Sequence, residues 1–116
     1  MACLFNSLSF FLKIDSYTLR QEICNYLEQN KPIIEGLETR DILEMDGTNY
    51  IPNMRGHHTW GGAIEIQAAC NIWNMKINVK CRRGNENSTI EFLPVTGVPD
   101  KEISLEWTGG HYEPIR

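Results

Sequence analysis

Two hydrophobic periods divide this chain of 116 residues, and their order limits what it can fold into. As far as Trp73 most apolar residues recur at helical spacing, whereas from Lys76 to Trp107 they alternate with polar ones as strands require. Helices followed by strands predict an α+β domain, with a small, mostly antiparallel sheet packed between helices. The length suits one domain over 1–116, and an apolar fraction of 41% supplies a core.

Leu4, Leu8, Phe11 and Leu12, with Phe5 beside them, predict a buried first helix. Asp15, Ser16, Tyr17 and Thr18 form a cap cluster, with Thr18 and Gln21 spaced as a capping box. The second helix then buries Leu19, Ile23, Tyr26 and Leu27, turns Arg20, Gln21, Glu22, Asn25 and Glu28 to water, and ends near Asn30 before Pro32. From Ile33 to His58 the pattern loosens. Ile42, Leu43 and Met45 suggest a short helix, Asp46 to Asn49 a turn, and Tyr50 to Met54 a short element around Pro52. That stretch is a place for part of a binding surface, or a plain connection.

Trp60-Gly61-Gly62 opens a helix running from about Gly62 to Asn74, with apolar rows Ile64, Ala68, Ile72 and Ile66, Ala69, Trp73. Its small residues permit close backbone approach. Glu65 stands out there, because a buried carboxylate needs backbone N–H groups or a basic partner; a structural cap is the expected role. Lys76 to Cys81 reads as a strand, residues 83–87 as a turn, and Thr89 to Leu93 as the return. Gly97 to Asp100 turns again, Glu102 to Trp107 alternates, Gly109-Gly110 breaks the strand, and residues 111–115 form the last one.

A net charge of −4 argues against a general nucleic-acid binder, and Lys80, Arg82 and Arg83 read as a solvated hairpin end. Asn87-Ser88-Thr89 fits the glycosylation pattern but reads as a turn into a strand. No run approaches the roughly 18 apolar residues of a membrane span, and the apolar start lacks the basic residues and cleavage site of a signal peptide. The four cysteines are widely spaced, with Cys24 and Cys70 inside helical patterns, so reduced thiols in the cytoplasm are expected. Cys81, His57 and His58 lack the paired spacing of a zinc site, so no metal or cofactor is expected, and His57-His58 read as solvated.

Cys3 carries the chemical interest. A cysteine just ahead of a helix has its sulfur near the positive end of the backbone dipole, which favours the thiolate. His111 lies at the far end on what reads as the last strand, and a fold joining the two makes a Cys/His pair for acyl transfer. Glu113, two residues on, points to the same side of that strand as His111. It is either the carboxylate that orients the imidazole or a solvated strand residue.

The motifs Cys3-Leu4-Phe5-Asn6-Ser7-Leu8 and His111-Tyr112 resemble the two ends of the ovarian-tumour (OTU) cysteine proteases, which are mostly deubiquitinases. Between them Leu19-Arg20, Tyr50 to Met54, Trp60-Gly61-Gly62, Glu65-Ile66, Ala68 and Ile77-Asn78-Val79 resemble the family's central blocks in order and spacing. The resemblance covers nearly the whole chain. It implies an OTU-like, papain-like fold, with Cys3 as nucleophile, His111 as general base and Glu113 where relatives carry Asp or Asn. It also implies a monomeric enzyme acting on ubiquitin or a ubiquitin-like modifier, without nucleic acid or membrane as partner. The modifier's tail would lie between the Cys3 helix and the His111 strand, bordered by Trp107, Gly109 and Gly110. One departure concerns the start: the family's Asp three residues before the Cys would fall ahead of Met1, and its Gly-Asn is replaced by Met1-Ala2. The resemblance therefore also admits a fragment of a longer chain truncated ahead of Met1, a reduced family member, or an inactive ubiquitin-binding module lacking the loop before Cys3.

Overall fold

The computed structural model describes residues 3–33, 37–45, 49–56, 59–83, 86–95 and 97–115. The expected turn at Asp46-Gly47-Thr48, the residues His57 and His58, and the Gly84-Asn85 part of the hairpin lie outside the described residues. Among the described residues five helices precede four strands: α1 (Cys3–Leu12), α2 (Ser16–Glu28), α3 (Thr39–Glu44), α4 (Tyr50–Arg55), α5 (Ala63–Trp73), β1 (Met75–Arg83), β2 (Glu86–Phe92), β3 (Lys101–Trp107) and β4 (Tyr112–Ile115).

Local chemistry explains most helix boundaries. Lys13 in a left-handed conformation (φ 62°) stops α1, its N–H reaching the Ser9 carbonyl at 2.9 Å. Asp15 caps α2, accepting from the Thr18 N–H at 2.9 Å and the Thr18 hydroxyl at 2.8 Å. The cap is thus Asp15 rather than the Thr18/Gln21 box, and Gln21 instead donates to the Arg55 carbonyl at 3.0 Å. Pro52 falls in the first turn of α4, where its missing N–H costs nothing. At its C-cap α5 ends on Asn74 in a left-handed conformation (φ 48°).

Asn74 also decides the sheet. Its carbonyl accepts the Asp100 N–H at 2.8 Å and its side-chain amide donates to the Val98 carbonyl at 3.0 Å. These bonds hold the start of β3 beside the start of β1, so the two strands run parallel from Met75 opposite Lys101 to Cys81 opposite Trp107. β2 on β1 and β4 on β3 are antiparallel, giving the order β2-β1-β3-β4. The sheet is mostly antiparallel as expected, but its central pairing is parallel. The first two strands also reach further than expected, since Arg83, Glu86 and Asn87 belong to them.

Alternation sets the two faces of the sheet. Met75, Ile77, Val79, Ile103 and Leu105 are buried with Leu4, Phe5, Leu8, Leu19, Ile23, Ile66 and Ala69 of the helices. The helices gather on this face, α1 on β4 and α5 on β1 and β2. On the other face Lys76 lies 3.4 Å from Glu91 and 3.9 Å from Glu102, while Arg82 lies 4.0 Å from Glu106.

All four cysteines are free, and Cys24 and Cys70 are fully buried. Burial pushes the Cys24 thiol up to about 11 and the Cys70 thiol up to about 12, from 9.0. Because the unfolded chain loses these protons first, stability is intact below pH 9 and declines as pH rises towards the folded values. Urea unfolding at pH 10 should give a stability lower than at pH 8, by about 1 kcal/mol per thiol. A Cys24→Ala/Cys70→Ala variant that keeps the full alkaline decline would refute this assignment.

Candidate active site

Cys3 is the first residue of α1 and is half-buried. The Ser7 hydroxyl, itself buried one turn later, donates to the Cys3 carbonyl at 2.8 Å. Leu4, Phe5 and Leu8 anchor the helix in the core, so the sulfur sits at a fixed helix start and near the positive end of its dipole. α1 packs along β4, the strand that begins one residue after His111.

The β3–β4 connection is a tight reversal. Gly109 (φ 94°) and Gly110 (φ 146°) both take conformations that side chains rarely adopt, and the Thr108 N–H reaches the His111 carbonyl at 3.1 Å. His111 therefore leaves the turn directly ahead of Tyr112, which pairs with Trp107. Its Nε2 lies 3.2 Å from Glu113 Oε1, with both side chains more than half exposed. Glu113 thus touches the imidazole, as an orienting carboxylate would. The contact uses Nε2, and among the described residues Nδ1 makes no hydrogen bond. Among the described residues no hydrogen bond joins Cys3 to His111; in unliganded sites such bonds often form only in the complex.

Tyr112 links the two ends of the site. Burial raises its phenol above the usual range, and the facing Cys3, Cys81 and Glu65 act in the same direction. With Ala63, Ile66, Val79, Cys81, Ile90, Phe92 and Trp107 it lines an apolar cavity of about 170 Å³ under the start of α5. Trp107 is half-buried in that wall, whereas Gly109 and Gly110 are exposed in the turn beyond it.

The other flank is built by the segment before α5. A Cβ on Gly61 would lie 2.7 Å from Leu4 Cδ2 and 3.0 and 3.1 Å from Phe5 ring carbons, so the backbone runs directly against the first turn of α1. Gly61→Ala should therefore destabilise the fold by about 1–3 kcal/mol, read as a lower urea midpoint, and an unchanged midpoint would show that the contact yields freely. Glu65 acts as the expected cap: one carboxylate oxygen accepts the Gly62 N–H at 2.7 Å and the other accepts the Tyr50 hydroxyl at 2.5 Å. It is 1% exposed, and burial raises its carboxyl above the usual range against the lowering effect of these bonds and of Arg20.

Arg20 corrects the sequence reading. Placed in water by the α2 pattern, it is instead 2% exposed. Its guanidinium lies 4.1 Å from the Phe5 ring centroid and donates to the Met54 carbonyl at 2.8 Å and the Thr59 carbonyl at 3.0 Å. The signal was present in the spacing, since Arg20, Cys24 and Leu27 share one helical stripe whose other two members are buried. An open groove of about 800 Å³ lies beside this segment, lined in part by Met45, Tyr50, Asn53, Trp60 and Ile64. Met45 and Trp60 are exposed on it, within or next to the stretch expected to carry part of the binding surface.

The sequence matches the family described as OTU-like cysteine protease over residues 2–112. It is 26% identical to ubiquitin thioesterase otu2 of Schizosaccharomyces pombe across 97% of this chain, and it spans 41% of the length of that protein. Similar solved structures include an OTU domain in complex with ubiquitin, at a TM-score of 0.75 and 23% identity, covering 97% of this chain and 62% of that one. An OTU deubiquitinase from Wolbachia pipientis bound to ubiquitin gives a TM-score of 0.72 at 16% identity, covering 99% and 89%. The viral OTU domain protease of Dera Ghazi Khan virus gives 0.72 at 21%, covering 97% and 72%.

Proposed function

The chain belongs to the OTU-like cysteine protease family, and from that premise we propose that it cleaves the peptide or isopeptide bond at the C-terminus of ubiquitin or a ubiquitin-like modifier. Cys3 is the nucleophile, His111 the general base and Glu113 the carboxylate that orients His111. The observation that carries this assignment is the 3.2 Å contact of His111 Nε2 with Glu113, on the strand against which the Cys3 helix packs. A relative named ubiquitin thioesterase and two similar structures bound to ubiquitin support the choice of modifier.

In the reaction His111 takes the thiol proton and the Cys3 sulfur attacks the carbonyl carbon. The tetrahedral adduct expels the amine, which receives the proton from the imidazolium, and a thioester remains. Water then gives a proton to His111 and adds to the thioester carbon. The C–S bond breaks and the sulfur recovers the proton, releasing the modifier with a free carboxylate. The modifier's tail approaches between α1 and the β3–β4 turn, bordered by Trp107, Gly109 and Gly110. The exposed Met45 and Trp60 offer further contact to its body. Four free cysteines fit a reducing compartment such as the cytoplasm, where we place the chain as a monomer.

The test is reaction with ubiquitin carrying an electrophile at its C-terminus. A single adduct mapped to Cys3 is expected. An adduct on Cys81 or on no residue of the folded chain would overturn the assignment, and ubiquitin binding without an adduct would leave a binding module.

A further inference from the structure

The mechanism leaves one fully buried acid unused. Glu65 belongs to α5, yet both of its oxygens are committed to groups that precede that helix: the Gly62 N–H at 2.7 Å and the Tyr50 hydroxyl of α4 at 2.5 Å. The segment so held, residues 59–62, has its Gly61 backbone against Leu4 and Phe5, the two residues that follow Cys3. From the other side Arg20 grips the same segment at the Thr59 carbonyl while its guanidinium lies over the Phe5 ring. Three elements, α2, α4 and α5, thus converge through polar bonds on a segment that touches the first turn of α1.

We propose that Glu65 is a positioning residue for Cys3: by tying Gly62 to Tyr50 it presses the 59–62 segment onto the first turn of α1 and sets where the sulfur stands. The inference rests on the reading of Cys3 as nucleophile, since only then does the placement of α1 affect turnover. The physical reasons lie in burial and stiffness. A carboxylate is costly to bury and repays that cost only where its bonds are well formed, so the geometry around it is tightly specified. Burial raises the Glu65 carboxyl, and both bonds and Arg20 lower it again, so the charged form is the one that these partners favour. Two closely packed apolar residues, Leu4 and Phe5, pass that placement to the residue before them.

Glu65→Gln keeps an oxygen for the Gly62 N–H and presents an amide donor to the Tyr50 hydroxyl oxygen, whereas Glu65→Ala removes both bonds. Two readouts separate a positioning role from a general loss of stability, both taken at a temperature where every variant is folded. The first is amide hydrogen exchange at Ser7 and Leu8, which close the first turn of α1, and at Ile66, whose N–H bonds the Gly62 carbonyl at 3.0 Å. In Glu65→Ala exchange at these three sites should rise about tenfold while the amides of β1 and β3 keep the wild-type rate. The second is the reaction of Cys3 with the ubiquitin electrophile, whose maximal rate should fall about tenfold with half-saturation unchanged. Glu65→Gln should restore both.

A folded Glu65→Ala variant with wild-type exchange at Ser7 and Leu8 overturns the proposal, and so does uniform acceleration throughout the sheet. If Glu65→Ala does not fold, Tyr50→Phe removes one of the two bonds with little change in packing and is judged by the same local rise in exchange. Failure of the wild-type chain to label would instead count against Cys3 as nucleophile, and the exchange pattern would still decide whether Glu65 holds α1.

Discussion

Turnover by the Cys3→Ala variant should fall to background, and turnover by His111→Ala should fall about 10²–10⁴-fold, the usual worth of a positioned general base. Both changes lie at the rim of the fold. His111 is more than half exposed and follows a turn closed by the Thr108 N–H, so its removal leaves the core intact and the melting behaviour unchanged. Cys3 is half-buried, and alanine keeps its Cβ and its place in the helix. Glu113→Gln separates orientation from charge. A glutamine oxygen still accepts from Nε2–H but stabilises the imidazolium less, so its loss should be smaller than that of His111→Ala. The measurement is hydrolysis of a ubiquitin C-terminal amide reporter by the three variants, with circular dichroism confirming the fold. Full activity in His111→Ala would remove that residue from the mechanism, and equal losses in Glu113→Gln and His111→Ala would place the acid's charge at the centre of it.

The second large effect is on stability. Arg20→Ala should cost about 3–5 kcal/mol, the range for removing one partner from a buried charged cluster. The loss has three sources in the structure. The carbonyls of Met54 and Thr59 lose a donor that holds them at 2.8 and 3.0 Å. Glu65 loses the nearby cation that favours its ionised form. The Phe5 ring, fully buried, loses the guanidinium 4.1 Å from its centroid and gains a void beside the first turn of α1. Arg20→Lys keeps the charge but not the planar fork, so it should recover only part of the difference. Urea unfolding of the three proteins at pH 7 checks the order. An Arg20→Ala chain within about 1 kcal/mol of wild type would mean that water replaces these bonds without strain.

Much of this molecule is legible in its sequence. The hydrophobic period placed α1, α2 and α5 and the first three strands, because a helix or strand with one apolar face must show that face in its spacing. Gly109-Gly110 marked the reversal before His111, and the positive φ of both residues is the reason glycine stands there. Glu65 was expected to cap backbone, because an acid in an apolar stripe has few other ways to be buried. The two-residue spacing placed Glu113 on the His111 side, and the contact between them follows.

Tertiary structure alone decided the rest. The parallel pairing of β1 with β3 depends on bonds from Asn74 to Val98 and Asp100, which no periodicity reveals because strand direction leaves no mark on alternation. Arg20 was assigned to water since charge normally means exposure, and only Phe5, Met54 and Thr59, brought together from α1, α4 and the segment before α5, make its burial favourable. The close approach of Gly61 to Leu4 and Phe5 was legible as a permission, given a glycine, but not as a partner. Sequence offered Cys3, His111 and Glu113 as candidates for nucleophile, base and orienter, through residue type and through the OTU-like motifs at the two ends of the chain. Which end of the sheet holds them, and what fixes the helix start that carries Cys3, depended on contacts between segments far apart in the chain, whose energies belong to pairs of residues and appear in neither one alone.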